Sequence, residues 1–238
     1  MQQDYFATDD LGTILGVWAH PDDEVFCSAG IMAIAAANGQ EVACVTATKG
    51  EAGVQDESRW PADRLGVIRE AELVDAYKII GITNHHWLDY QDGKCHEIDY
   101  DVAVSQIKQF IDMYKPTTIL TFGPDGMTGH ADHSAVSAWA TIAGKEAGVN
   151  VYHAVLTTEM YAAVEDADKR LNMFFNIDKP PIVKASDCAI ICKLSKEQCQ
   201  KKCDALKAMP SQTASLVDYY GEEKVCDMFS DEAFVQAR

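Results

Sequence analysis

Apolar residues come in two rhythms along this chain. Short unbroken runs, TILGVWA (13–19), EVACVTAT (41–48), HHWL (85–88), TTILTF (117–122) and VYHAVLTT (151–158), have the length and branched-residue content of buried strands. Between them lie helix-length stretches: an Ala-rich segment over 24–39 ending at Asn38-Gly39, residues 62–80 stopped by Gly81, then about 98–114 and 131–148. Strands alternating with helices long enough to cross over predict an α/β fold with a mainly parallel sheet covered on both faces. The last third is patterned less clearly. A strand at 188–194, a helix at about 195–208 and a weakly patterned end read as a C-terminal elaboration (about 159–238) on a core of about 13–158. No repeat, linker or block of like charge marks a boundary, so residues 1–238 are expected to form a single domain.

In open parallel sheets, ligands sit beyond the carboxyl ends of the strands. Four polar, Gly-rich segments fall there: HPDD (20–23), TKGEAG (48–53), LDYQDG (88–93) and GPDGMTGHADH (123–133). The first is unusual, because an apolar run ends in His20 and Pro21 and then spends three positions on Asp22, Asp23 and Glu24. One reading is helix capping, since Asp22 or Asp23 can cap the helix and Glu24 suits its start. The other is a metal site. Zinc hydrolases use three His and carboxylate ligands and keep one position open for water. His20 and Asp23 are three apart in a turn entering a helix, and His130 and His133 repeat that spacing at another helix start. Capping needs neither the paired histidines nor the doubled aspartate, so the two motifs together favour metal.

Charge narrows the ligand. Twenty Lys and Arg stand against 37 Asp and Glu, a net charge of −17. Such a surface repels phosphate backbones and anionic lipid, which argues against nucleic acid, a membrane surface or a phosphoinositide substrate and favours a neutral or cationic small molecule. No basic-then-apolar leader and no apolar stretch near the ~20 residues of a membrane span is present. The eight cysteines are accordingly expected as free thiols of a cytoplasmic protein.

Taken together, AHPDDEVF and GHADHSAV resemble the PIG-L/LmbE-like family of zinc-dependent N-acetylglucosaminyl deacetylases. The resemblance covers about 13–158, including TKGEAG, REAELVDAYKIIG (69–81) and LDYQDG, and resumes at Lys207 to Gln212. It implies a Rossmann-like three-layer sandwich. By the same resemblance His20, Asp23 and His133 match the ligands of zinc or another divalent ion, and Asp22 the general base. His130 matches the residue that stabilises the tetrahedral intermediate and protonates the amine, and Asp132 the carboxylate orienting it. Arg69, Asp89 and, less directly, Glu51 match substrate-binding positions. The implied reaction is removal of acetyl from an N-acetylated amino sugar or glycoconjugate by zinc-activated water. The alternatives are an amidase taking a larger acyl group from a sugar or thiol-sugar conjugate, and a non-catalytic carbohydrate-binding relative. Family members form several oligomers, so a homo-oligomer is possible. One departure is Thr128, where some members carry a tyrosine that polarises the substrate carbonyl.

Other features read as packing. Cys188, Cys192, Cys199 and Cys203 form two C-x3-C pairs able in principle to hold structural zinc, but buried cysteine behaves as a small hydrophobe. His85 and His86 read as packing or surface residues, Trp60 as packing or a sugar platform, and His153 has no assigned role.

Overall fold

The computed structural model describes residues 8–174 and 176–238. Strands β1 (Ile14–Trp18), β2 (Val42–Thr48), β3 (Asn84–Tyr90), β4 (Thr118–Phe122) and β5 (Asn150–Thr157) are linked through helices α1 (Asp23–Ala37), α2 (Leu65–Ile80), α3 (Tyr100–Tyr114) and, after the single turn α4 (Gly126–Gly129), α5 (Ala131–Ala147). All five pair in parallel, in the order β3-β2-β1-β4-β5. Every residue of β1, β2 and β4 is buried, because helices cover both faces, and this is why those segments read as unbroken apolar runs. Trp18 and Phe122 meet edge to face, 4.9 Å between centroids, where β1 and β4 end. The chain leaves β1 toward β2 and β4 toward β5, so the strand order reverses between them. The crevice this opens is the usual ligand position of such sheets.

The final third departs from the reading of the sequence. Helix α6 (Thr158–Leu171) follows β5 directly, and β6 (Ile182–Val183) pairs with β5 in parallel. The expected strand and helix at 188–208 form β7 (Ile190–Lys193) and α7 (Lys196–Lys207), the latter started by a Ser195–Gln198 capping box. The weakly patterned end folds into α8 (Pro210–Tyr220), α9 (Glu222–Met228) and β8 (Asp231–Gln236). Strand β8 inserts between β5 and β7 and runs antiparallel to both, so the sheet is mixed along this side. Among the described residues, no helix is long and apolar enough to cross a membrane.

The expectation that all the cysteines are free needs correction. Cys203 of α7 is disulfide-bonded to Cys226 of α9, with Cα atoms 5.2 Å apart, because α7 and α9 pack side by side. Cys199, one turn earlier on α7, lies with Sγ 3.0 Å from the Cys226 carbonyl oxygen. Cys188 precedes β7 and Cys192 lies on it, and among the described residues no cysteine joins a cluster suited to a metal. Closing a loop with a sequence separation of 23 stabilises by roughly 3 kcal/mol. Thermal unfolding with and without dithiothreitol should show that loss, and an unchanged midpoint would mean the bond is not formed in solution.

His85 packs within the fold. Its Nε2 is 3.0 Å from Thr46 Oγ1, and its ring meets Tyr77 and Trp87. Burial, with help from the charges of His86 and Lys49, brings its pKa down to about 4. The unfolded chain therefore binds a proton that the folded chain refuses between about pH 6.5 and 4, and stability falls as pH drops through that window. The expected loss is roughly 2–3 kcal/mol by pH 4. A His85→Gln variant should lose less across the same pH series of thermal melts.

Candidate metal centre and active site

Strand β1 delivers His20 to the crevice, and the turn after it is unusual. Asp22 has φ 124° and ψ −30°, a costly conformation for a residue with a side chain, and although it precedes α1 its carboxylate makes no capping bond. Asp23 Oδ2 accepts instead from the backbone N–H of His20 at 2.7 Å, tying the turn back on itself. Neither aspartate caps the helix. Glu24 does not serve an exposed helix start either: it is wholly buried, and burial pushes its carboxyl well above the usual range.

The turn between β4 and α5 brings the second motif to the same place. Asp125 caps α4 by accepting from Met127 N–H, and Met127 itself has a positive φ of 60°. His130 is the N-cap of α5, its Nδ1 accepting from Asp132 N–H at 3.2 Å. His133, one turn on, stacks against Phe122 with ring centroids 4.1 Å apart and planes within 5°.

His20, Asp23 and His133 converge. His20 Nδ1 is 3.0 Å from His133 Nε2 and 3.6 Å from Asp23 Oδ2, and His133 Nε2 is 3.3 Å from Asp23 Oδ1. Ligands on a tetrahedral ion with bonds of ~2.1 Å stand ~3.4 Å apart, so this spacing suits such an ion. The outer nitrogens are occupied in the way metal-binding histidines require. His133 Nδ1 faces Gly126 O at 2.9 Å and Thr128 Oγ1 at 3.2 Å. His20 Nε2 faces Asp92 Oδ1 at 3.0 Å and Asp132 Oδ2 at 3.4 Å. Each ring therefore keeps its inner nitrogen for the shared point. His130 also reaches in: one donor atom from each of His20, His130 and His133 lies within 4.8 Å of the others. A second group on the same metric is His20, Asp92 and Asp132.

Electrostatics follow the crowding of carboxylates. Burial opposes charge on His20, but hydrogen bonds to Asp132 and Asp92 and the charge of Asp23 outweigh it and raise its pKa to about 10. Burial lifts Asp22 to about 7 against the pull of Arg69, with Asp23 adding to the rise. Burial and the His20 charge keep the His130 and His133 imidazoles neutral, lowering the pKa of each.

The remaining expected residues are distributed unevenly. The Asp132 carboxylate accepts from Gly93 N–H and Cys95 N–H and lies 3.4 Å from His20 Nε2, while its backbone N–H donates to His130. The loop amides after β3 hold that carboxylate beside His20. Arg69 is only 4% exposed. It donates to Pro21 O at 2.6 Å and Gly50 O at 2.8 Å, and stands 3.3 Å from Asp22 Oδ1. Gly50, at φ 64°, is where this guanidinium passes, and a Cβ there would lie 2.3 Å from it. Glu51 accepts from Asp92 N–H, and Asp92 in turn accepts from Ala52 N–H, so Glu51 braces the loop that presents Asp92. Asp89 is exposed at the rim, 3.9 Å from Lys49.

Asp92 is the residue that sequence reasoning missed. The available signal was the second aspartate of LDYQDG, directly before a glycine. Thr128, noted only for the tyrosine it replaces, touches the far side of His133.

Comparison with known proteins places the chain among related sequences and folds. The family model for PIG-L, GlcNAc-PI de-N-acetylase, matches residues 15–143. The 1D-myo-inositol 2-acetamido-2-deoxy-alpha-D-glucopyranoside deacetylase of Corynebacterium glutamicum (strain R) is 34% identical over 140 residues, which are 50% of this chain and 48% of that protein. The chain thus spans about half the length of the curated relatives it matches. The fold is shared with N,N'-diacetylchitobiose deacetylase from Pyrococcus horikoshii, at TM-score 0.67, 20% identity and coverage of 96% of this chain and 85% of that one. It is shared also with the A40926 pseudoaglycone deacetylase, at TM-score 0.70, 20% identity and coverage of 96% and 98%.

Proposed function

This chain belongs to the PIG-L family of GlcNAc-PI de-N-acetylases, and from that premise we propose that it is a metal-dependent hydrolase removing acetyl from an N-acetylated amino sugar or glycoconjugate. The observation that carries the reading is the convergence of His20 Nδ1, His133 Nε2 and the Asp23 carboxylate, with both outer imidazole nitrogens already engaged. The names of the related deacetylases support an N-acetylated sugar as the substrate class. Two imidazole nitrogens and one carboxylate suit zinc, which when bound supplies Lewis acidity toward the amide carbonyl and acidity to water.

The protein's own groups divide the proton work. Asp22, held beside Arg69, accepts the proton of the attacking water at its carboxylate, and a pKa near neutrality matches that task. The bond from Asp132 N–H to His130 Nδ1 places the single proton of the neutral ring on Nε2. That N–H is a donor for the oxygen on which charge develops. Delivery of a proton to the departing nitrogen from Nε2 requires a charged ring, which must first take up a proton from solvent at Nδ1 and give up the bond there. At 3.2 Å that bond is long, and its loss costs only about 1 kcal/mol.

The test is a screen of Zn²⁺-loaded protein against N-acetylglucosamine, its oligomers and its glycosides, reading free amine. Turnover should vanish on dialysis against a chelator and return with Zn²⁺ or another divalent ion. Metal-loaded protein inert toward the whole panel would overturn the proposal.

A further inference from the structure

A buried ion pair outside the site is built into the helix that begins there. Lys202 of α7 and Glu232 of β8 have side chains 1% and 0% exposed, with Nζ and Oε1 2.7 Å apart. Glu232 does more than meet Lys202. Its Oε1 accepts from Gly30 N–H and its Oε2 from Ile31 N–H, both at 2.8 Å, in the middle of α1. Lys202 Nζ donates at 2.8 Å to the carbonyl of Phe26, the residue four before Gly30. The pair therefore bonds the α1 backbone at three points, the nearest of them three residues from Asp23.

Two further contacts set the approach of α1. A Cβ on Gly30 would lie 2.4 Å from Leu194 Cδ2, so a larger residue there would have to displace the Leu194 side chain beyond the end of β7. Phe26 meets Phe229 edge to face with centroids 5.0 Å apart. A buried ion pair by itself is a poor stabiliser, and apolar residues of the same size commonly do as well. Apolar residues cannot, however, grip a helix backbone through its N–H and C=O groups. A carboxylate bonded through both oxygens to successive amides fixes the rotation of the helix about its axis as well as its height.

We infer that Lys202 and Glu232 are positioning residues for the hydrolytic centre, holding the first two turns of α1 so that Asp22 and Asp23 meet His20, His133 and Arg69. The inference rests on the function proposed above for the turnover it affects, but its metal readout stands apart from turnover. Small displacements of reacting groups cost up to about 100-fold in rate, and loss of support around metal ligands about 10–100-fold in affinity.

The experiment uses the full chain with Lys202→Met and with the double variant Lys202→Met/Glu232→Gln, which leaves no lone buried charge. Zn²⁺ affinity is measured by competition with a chromophoric chelator, the Co²⁺ absorption spectrum is recorded, and kcat and KM are obtained at a temperature where circular dichroism shows a folded protein. The expected result is a folded variant with Zn²⁺ affinity and kcat each about 10-fold or more below wild type, a shifted Co²⁺ spectrum and an unchanged KM. A folded variant with wild-type affinity, spectrum and kcat overturns the proposal. So does failure of both variants to fold, because the pair is then structural only. If wild-type protein turns over no N-acetylated sugar, the functional reading fails, and the affinity and spectrum still decide this one.

Discussion

Asparagine in place of Asp22 is expected to lower kcat by about 10²–10⁴ while bound metal stays at the wild-type level. Asparagine keeps the size of the side chain and tolerates positive φ, so it isolates the loss of the proton acceptor from any collapse of the turn held at φ 124°. The variant also loses the ionic part of its contact with Arg69, 3.3 Å away, but not the bond that ties Asp23 to His20 N–H. Metal analysis alongside steady-state kinetics checks the claim. Full activity with full metal would remove Asp22 from the chemistry.

The largest effect on stability is expected at Arg69. A methionine there would leave Asp22 without its buried cation and the carbonyls of Pro21 and Gly50 without their donors. Breaking such a buried pair costs about 3–5 kcal/mol, and for a chain of this size that lowers the melting temperature by roughly 6–20 °C. Arg69→Lys should recover little, because one ammonium cannot span three acceptors that a planar guanidinium reaches together. The same variants decide between two roles. A substrate contact would raise KM and spare stability. A residue that pins the loops after β1 and β2 to each other would lower stability and kcat together, which is the outcome expected from its burial.

How much of this could be read from the sequence depends on what each segment buries. Strands β1, β2 and β4 were legible because both of their faces are covered, leaving no charged residue to interrupt the runs. Strand β8 was not, because its sequence, DEAFVQ, carries a glutamate whose burial depends on distant partners, Lys202 and the amides of Gly30 and Ile31. Helix α6 hid for the opposite reason: it fully buries only Val164 and Ala167, and charged residues crowd its second half. At the site, the two histidine–aspartate motifs were visible because each combines residues that capping does not need. Asp92 was not, since Asp89 near the end of β3 and Asp92 just beyond it look alike in sequence, and only the folded backbone sends one outward to Lys49 and the other to His20. Arg69 was found as a residue of the site, but the expected substrate contact gave no hint of the two carbonyls it holds.

The bond between Gly30 and Glu232 joins residues 202 apart in the sequence. Helix α1 is made some two hundred residues before the strand that completes its backbone bonding. Parallel pairing and distant contacts of this kind slow folding, and here they also impose an order on it. The nascent chain can carry the whole His20–Asp23 turn and the His130–His133 turn outside the ribosome with the first helix still unfinished. The His20–Asp23 turn would then settle only after β8 has been made.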